Sequence, residues 1–236
     1  MKSKSKKTVK GIVIGVVVVG LLAFGGWWAN EIFGNPISKH LAEKTAKVYL
    51  AQTYPDLNLV TEDCGYDFKY MQYYITVSSP DSIDTRFSLK FDSKGNLTDD
   101  NYEWSLSSNT EARFDRAASD DIEALLIKEF GEDCDPLISL ALDEGTKVTD
   151  FVKTDEPVDL DNFPFEVTVN INVYSDDRSD ENIQKTIDRI DKALNGKYVI
   201  REYSMYFWPD PNGPNADDKH EFISVLGEDL KKAENE

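Results

Sequence analysis

One uninterrupted apolar run constrains this chain more than any other feature of its sequence. The run extends from Gly11 to Ala29 and holds nineteen residues without a charged or strongly polar side chain. At about 1.5 Å per helical residue it would form a helix roughly 28 Å long, close to the hydrocarbon thickness of a bilayer. The sequence therefore predicts a transmembrane signal-anchor helix over residues 11–29.

The residues on either side of this run predict its orientation. Five lysines and no acidic residue precede it: Lys2, Lys4, Lys6, Lys7 and Lys10. Because positive charge is retained on the cytoplasmic side, we expect residues 1–10 to be a cytoplasmic basic tail and the C-terminal domain to be extracytoplasmic. A cleaved signal peptide would have a shorter apolar core and small residues near its end, where this chain has Phe24, Trp27 and Trp28. We therefore expect an uncleaved anchor in a single-pass protein of the cell membrane.

The rest of the chain is strongly acidic. All 44 acidic residues follow residue 29, together with 26 − 5 = 21 basic residues, which gives this part a net charge of 21 − 44 = −23. Such a surface repels nucleic acids and anionic lipid headgroups. We therefore expect no nucleic-acid partner, and we expect any envelope partner to be a basic protein or peptide.

Cys64 and Cys134 are the only cysteines in the chain. A disulfide between them would stabilise the fold by roughly 4 kcal/mol, because it would close a long loop in the unfolded chain. The alternative is two separate buried thiols. The sequence leaves both arrangements open.

Residues 30–133 are predicted to form a first extracytoplasmic α+β domain with the order helix, antiparallel meander, helix. An amphipathic helix from Ile37 to Thr53 has one apolar face. The residues on that face are Ile37, Leu41, Thr45, Val48 and Tyr49. A second helix is predicted from Asn109 or Thr110 to Phe130, where Gly131 ends it.

Four strands are predicted between these two helices. Tyr66, Phe68 and Tyr70 alternate with polar residues, and we expect their rings to form part of the core. The turn 92–96 predicts a hairpin whose last strand runs from Leu97 to Trp104.

Residues 134–163 are predicted to be a linker region, in which residues 137–142 fit either a short helix or a buried strand. Residues 164–236 are predicted to form a second α/β domain with the order β–α–β–β and an acidic tail from Gly227 to Glu236. Its helix runs from Asp180 to Leu194 and carries an apolar stripe. The residues of that stripe are Ile183, Ile187, Ile190 and Leu194.

Several short motifs lie between Asn35 and Glu103. An Asn-Pro pair precedes the first helix, and the pattern YL-x-x-x-YP-x-L ends it. The patterns FK…YY, SP-x-SID-x-x-F and D-x-Y follow in the predicted meander. In these motifs the chain resembles the YfjL-like proteins of Bacillus and related bacteria. The resemblance implies a single-span bacterial membrane protein with an α/β exterior and no established activity, and it supplies no catalytic residues.

The sequence contains no recognisable catalytic or cofactor motif. It has two histidines, His40 and His220, and it lacks the patterns CxxC, HExxH and G-x-S-x-G as well as a glycine-rich phosphate loop. Two acidic loops carry oxygen donors that suit hard cations, but neither follows the calcium-loop pattern. They contain Asp155, Glu156, Asp159 and Asp161 in one case, and Asp210, Asn212, Asp217 and Asp218 in the other. We therefore predict no catalytic, cofactor-binding or metal-binding residues.

The predicted fold class is thus α+β, with an N-terminal transmembrane helix followed by two small α/β subdomains. The function that the sequence favours is that of a membrane-anchored, non-enzymatic binding or interaction module of the bacterial cell envelope. The alternatives are an envelope hydrolase that uses carboxylates and a cation-responsive sensor ectodomain.

Overall fold

The computed structural model describes residues 2–209 and 221–226, and it describes the side chains of all of these except residues 2–13, 29, 31 and 226. The chain divides into two compact units, one ending at Leu106 and the other beginning at Ser107. The class is α+β with two separate four-stranded sheets. The predicted acidic tail from Gly227 to Glu236 lies outside the described residues.

The apolar run is part of helix α1, which extends from Lys2 to Phe33. In the described part of the chain, no helix is both long enough and apolar enough to cross a membrane. The prediction of a transmembrane signal-anchor helix over residues 11–29, and with it of a single-pass architecture, is therefore wrong.

Helix α2 extends from Pro36 to Thr53 in the first unit. It begins where the sequence predicts, because the side chain of Asn35 accepts a hydrogen bond from the backbone N–H of Ser38 at 2.8 Å and Pro36 suits a first helical turn. It ends at Thr53, two residues before Pro55, because the residue that precedes a proline avoids the helical region.

The first sheet is an antiparallel meander in the order β1-β2-β3-β4. Its strands are β1 Val60–Asp67, β2 Gln72–Ser79, β3 Ser82–Phe91 and β4 Leu97–Asp100. Side chains alternate across the sheet, so that Tyr73, Ile75 and Val77 are buried towards α2 while Tyr74 is exposed on the other face. The buried residues of this core are Ala42, Ala46, Leu50, Cys64, Tyr73, Ile75, Val77, Phe87, Leu89 and Phe91.

Helix α2 packs on the sheet with a different face from the one predicted. Ala42 and Ala46 are completely buried. Ile37, Leu41 and Val48, which were predicted to face the core, are 73%, 38% and 51% exposed. Small side chains let a helix lie close to the aromatic and branched residues of a sheet, whereas larger ones at the same positions would overpack it. The predicted apolar face is therefore wrong for these three residues.

The second helix begins earlier than predicted. Strand β4 ends at Asp100, and helix α3 extends from Tyr102 to Phe130. The side chain of Asp100 accepts a hydrogen bond from the backbone N–H of Tyr102 at 2.9 Å, which satisfies a donor at the helix start. Residues 102–104 are thus helical, and the predicted extension of the strand to Trp104 is wrong.

The second unit contains a mixed sheet in the order β5-β6-β7-β8. Its strands are β5 Leu137–Leu140, β6 Glu166–Tyr174, β7 Val199–Trp208 and β8 Glu221–Leu226. Strands β6 and β7 are parallel and are joined through helix α4, Asp180–Leu194, whereas both outer pairs are antiparallel. The predicted order β–α–β–β is present, and residues 137–140, for which helix and strand were both open, form an additional strand.

Helices α3 and α4 both contribute to the core of the second unit. The predicted stripe of α4 is confirmed for Ile187, Ile190 and Leu194, which are almost fully buried, while Ile183 is partly buried against the same core. From α3, Ile122 and Leu126 are completely buried in that core. The segment between β5 and β6 contributes Val148 to a smaller adjoining cluster.

The observed face of α2 can be tested with a pair of substitutions on the same helix. Ala46→Asp places an unpaired charge in the core and is expected to lower the free energy of unfolding by roughly 3–5 kcal/mol. Val48→Asp places the same charge at a half-exposed position and is expected to change it by at most about 0.5 kcal/mol. Urea unfolding followed by circular dichroism measures both values, and a larger loss for Val48→Asp would contradict the observed packing.

Candidate functional site

The exposed face of the first sheet contains a groove of about 310 Å³. Its lining combines two aromatic rings with four polar side chains. We call it the tyrosine groove, and its lining residues are Asp67, Tyr70, Gln72, Tyr74, Ser88 and Lys90. Ligand sites in proteins start at about 300 Å³, so the groove has room for a small group.

The position of Tyr74 depends on a glycine in the neighbouring strand. Gly65 and Tyr74 are directly opposite each other in strands β1 and β2. A Cβ atom added at Gly65 would lie 2.1 Å from Cζ of Tyr74 and 2.3 Å from its hydroxyl oxygen. The ring therefore occupies the space that any other side chain would need. Glycine at this position allows the ring to lie directly on the backbone of β1.

The hairpin between β1 and β2 carries the other aromatic wall. Oδ1 of Asp67 accepts hydrogen bonds from the backbone N–H groups of Lys69 at 2.9 Å and Tyr70 at 3.3 Å. Met71 adopts φ 52°, which closes the turn. The Tyr70 ring is 64% exposed, and the ammonium group of Lys69 lies 5.1 Å from its centroid. This distance is within the range of a cation–π interaction.

The polar side chains of the groove have partners at its edge. Nζ of Lys90 forms an ion pair with Asp99 at 2.8 Å. The Gln72 amide nitrogen donates to the hydroxyl of Thr98 at 3.4 Å, and the Ser88 hydroxyl lies 3.5 Å from the side-chain oxygen of Asn101. These contacts use donors of the lining residues, so that several acceptor oxygens remain for a bound group.

A second polar cluster in the first unit surrounds Asp100. Its Oδ2 accepts hydrogen bonds from the hydroxyl groups of Tyr49 at 2.7 Å and Tyr54 at 2.8 Å. The rings of Tyr54 and Tyr102 are 4.6 Å apart between centroids, and Phe87 packs on both. Burial and the hydrogen bond to Asp100 raise the pKa of Tyr54 well above its usual range. This cluster joins the end of α2, the end of β4 and the start of α3.

Residues 5–101 match the family model described as YfjL-like, N-terminal domain. The chain therefore contains a YfjL-like N-terminal domain. The match covers most of the first unit, including the tyrosine groove and, except for Tyr102, the Asp100 cluster. No curated protein and no solved structure matches the chain.

The motifs that carry the resemblance are distributed over these two places in the YfjL-like domain. The helix-end pattern supplies Tyr49 and Tyr54 and the D-x-Y pattern supplies Asp100 and Tyr102, and all four meet in the Asp100 cluster. The YY pattern supplies Tyr74 to the groove. The cluster connects three elements of the fold, and the groove is open at the surface of the domain.

The core role predicted for two aromatic residues is wrong. Phe68 and Tyr70 are exposed in the β1–β2 hairpin, because strand β1 ends at Asp67. Tyr66, the first residue of the predicted row, packs partly buried against the core of the first unit. The groove was not predicted from the sequence. Gly65, which directly precedes the aromatic row that begins at Tyr66, is the feature from which it could have been inferred.

The two cysteines lie in different cores. Cys64 is a buried free thiol in the first unit, and Cys134 is a buried free thiol in the second. Burial raises the pKa of both thiols. Of the two histidines, His40 is exposed on α2, and His220 lies outside the described residues.

The first acidic loop uses its carboxylates to hold its own backbone. Asp159 accepts hydrogen bonds from the backbone N–H groups of Asp161 and Asn162 and from the Asn162 amide, which lower its pKa. Glu156 accepts one from the backbone N–H of Lys153 at 3.0 Å. Among the described residues, no group of three or more His, Cys, Asp or Glu side chains is placed to hold a metal ion. The second loop, with Asp210, Asn212, Asp217 and Asp218, lies outside them.

Carboxylates of the second unit pair with tyrosines and with cations. Asp121 accepts hydrogen bonds from the Tyr198 hydroxyl at 2.6 Å and from Nζ of Lys197 at 2.9 Å. The Tyr203 hydroxyl donates to Asp191 at 2.6 Å. Burial and these hydrogen bonds raise the pKa of both tyrosines. The pairs connect α3 to the residues just before β7 and α4 to the middle of β7, and we assign them to the stability of the unit.

The Asp100 cluster predicts a loss of stability at alkaline pH. The folded state holds the proton of Tyr54 more tightly than the unfolded state does, because the pKa is raised on folding. The contribution of Tyr54 to the free energy of unfolding is therefore fully present below pH about 10, which is the pKa of tyrosine in the unfolded chain. It is lost as the pH rises towards the higher pKa of the folded state. Tyr54→Phe should lower the free energy of unfolding at pH 7 by about 1–3 kcal/mol and make its decline above pH 10 shallower. Urea unfolding at several pH values measures this decline.

A matched control for this prediction is Tyr70→Phe. The hydroxyl of Tyr70 is exposed and makes no hydrogen bond within the described residues, so its removal should reproduce the parent curve. Parallel declines of the parent and of Tyr54→Phe above pH 10 would contradict the assignment.

Proposed function

We propose that this YfjL-like protein is a non-enzymatic binding module and that its partner binds in the tyrosine groove. The observation that carries the proposal is the position of Tyr74, whose ring lies on Gly65 while 42% of the residue stays exposed. Tyrosine offers a large contact area and a polar end, and it is enriched among the residues that dominate binding energies. A ring already held by the backbone also loses little conformational freedom when a partner binds.

The partner that we propose is a basic protein or peptide. The chain after residue 29 has a net charge of −23 from 44 acidic and 21 basic residues. A field of this sign speeds the encounter with a positively charged surface and disfavours acidic competitors. Because exposed charges are screened over about 8 Å at physiological ionic strength, such binding weakens as salt is added.

Gly65→Ala tests the groove without altering the net charge. The new methyl group must displace the Tyr74 ring, so we expect weaker binding of a fluorescein-labelled octalysine probe to the full-length protein. Fluorescence anisotropy at low and at physiological salt measures the affinity. The parent should bind more weakly at the higher salt, and Gly65→Ala should bind several-fold more weakly than the parent at both.

The matched control is Thr76→Ala, which alters the same exposed face two residues along β2 from Tyr74. Its affinity should equal that of the parent. Equal affinities of the parent and of Gly65→Ala would contradict the groove as the binding site. Turnover of a generic ester, peptide, glycoside or phosphate that is lost on changing one carboxylate to its amide would replace the binding proposal with an enzyme.

A further inference from the structure

We propose that the tyrosine groove receives the side chain of an arginine from the partner. This inference rests on the binding role proposed above and names the group that is bound. Three features of the groove carry it: a partly exposed aromatic ring, a set of unused acceptor oxygens, and a neutralised lysine.

The ring belongs to Tyr74. The hydroxyl end of the ring lies over Gly65, and the residue lines the groove while 42% of it stays exposed. The face of an aromatic ring carries negative charge density and attracts cations. Arginine is the cation that also stacks flat on such a ring, since its guanidinium group is planar.

The acceptor oxygens lie around this ring. Oδ1 of Asp67 accepts two backbone hydrogen bonds of the hairpin, while its Oδ2 accepts none within the described residues. Gln72 and Ser88 each donate to a neighbouring residue, which leaves Oε1 of Gln72 and the lone pairs of Ser88 as acceptors. A guanidinium group has five N–H donors and no acceptor, so it matches this set.

Lys90 is the one cation in the lining, and its charge is balanced. Its ammonium group forms an ion pair with Asp99 at 2.8 Å. Together with Asp67 and with Lys69 at the Tyr70 ring, the groove and its edge carry two cations and two carboxylates. The net charge of −23 after residue 29 is what favours a cationic group over an anionic one.

The chain already uses this type of contact within its second unit. The guanidinium carbon of Arg189 lies 4.1 Å from the centroid of the Phe130 ring. Nε of the same residue donates to a carboxylate oxygen of Glu129 at 3.0 Å, and a terminal nitrogen donates to the Glu129 carbonyl at 3.1 Å. In this contact an aromatic ring and an acidic residue bind the same guanidinium group.

The size of the groove fits one side chain. Its volume of about 310 Å³ is at the lower end of the range of about 300–1,000 Å³ for ligand sites. We infer that one arginine enters the groove while the rest of the partner lies over the exposed face of the sheet.

Three peptides of equal length test the inference against the full-length protein. Each alternates glycine with arginine, lysine or citrulline, and each carries the same fluorophore. Citrulline keeps the planar shape of arginine without its charge, and lysine keeps the charge without the planar shape. We expect the arginine peptide to bind about tenfold more tightly than the citrulline peptide and several-fold more tightly than the lysine peptide.

Variants of the groove locate the effect. Tyr74→Leu should weaken binding of the arginine peptide about tenfold, and Tyr74→Phe, which keeps the ring, should retain it. Asp67→Asn should weaken it more than Asp56→Asn does. Asp56 is exposed in the first unit and outside the groove, so the two changes remove the same charge. Unfolding curves equal to that of the parent establish that each variant is folded.

The outcomes separate this inference from the proposed function. If the arginine peptide binds no more tightly than the citrulline or lysine peptide, and Tyr74→Leu weakens all three, the arginine assignment is overturned while the groove stands. If Asp67→Asn and Asp56→Asn have the same effect, Asp67 is not a ligand of the guanidinium group and the assignment is likewise overturned. If the parent and Tyr74→Leu bind the arginine peptide equally, both proposals are overturned.

Discussion

The first unit depends on the hydrogen bonds that the carboxylate of Asp100 accepts. One of its oxygen atoms accepts hydrogen bonds from the hydroxyl groups of Tyr49 and Tyr54, and the other accepts one from the backbone N–H of Tyr102. The end of α2, the end of β4 and the start of α3 are thereby held at one residue. A partly buried carboxylate is stable in such a place only when hydrogen bonds replace the water it has lost. Tyr49, Tyr54 and Tyr102, which donate these hydrogen bonds, belong to the motifs in which the chain resembles the YfjL-like proteins.

The close contact between α2 and the sheet explains both what the sequence predicted and where it failed. Periodicity predicted the helix and nearly its bounds, because Asn35, Pro36 and Pro55 act locally on the backbone. It did not predict the buried face, since Ala42 and Ala46 contribute little hydrophobicity and Ile37 contributes much. The choice between the faces depends on how closely the helix approaches the sheet, which is a property of packing. In α4, by contrast, the largest apolar residues and the buried face coincide, and the stripe was predicted correctly.

Other differences have similar local causes. The apolar run predicted a helix, and α1 is helical, but a run of apolar residues alone did not establish a membrane span. The row of Tyr66, Phe68 and Tyr70 alternates as a strand does, yet the hairpin begins after Asp67, whose carboxylate accepts the N–H groups of the turn. The groove could not be predicted, because its residues come from three strands and from the hairpin between two of them. In the sequence, only Gly65 indicates the groove, because a glycine in a strand leaves room for the ring of a residue on the neighbouring strand.

The charge of the chain and the shape of the groove have complementary consequences for recognition. Many of the basic residues described here are already paired, as in Arg86 with Glu62, Lys90 with Asp99 and Arg201 with Glu166. The excess of acidic residues therefore acts as a diffuse field, which raises the rate of encounter with basic partners without distinguishing lysine from arginine. Such a distinction requires a planar surface and acceptors at fixed positions. In the complex that we propose, Tyr74 on Gly65 and the neighbouring Asp67 provide both. The proposal thus assigns specificity to a few residues of the groove and attraction to the rest of the surface.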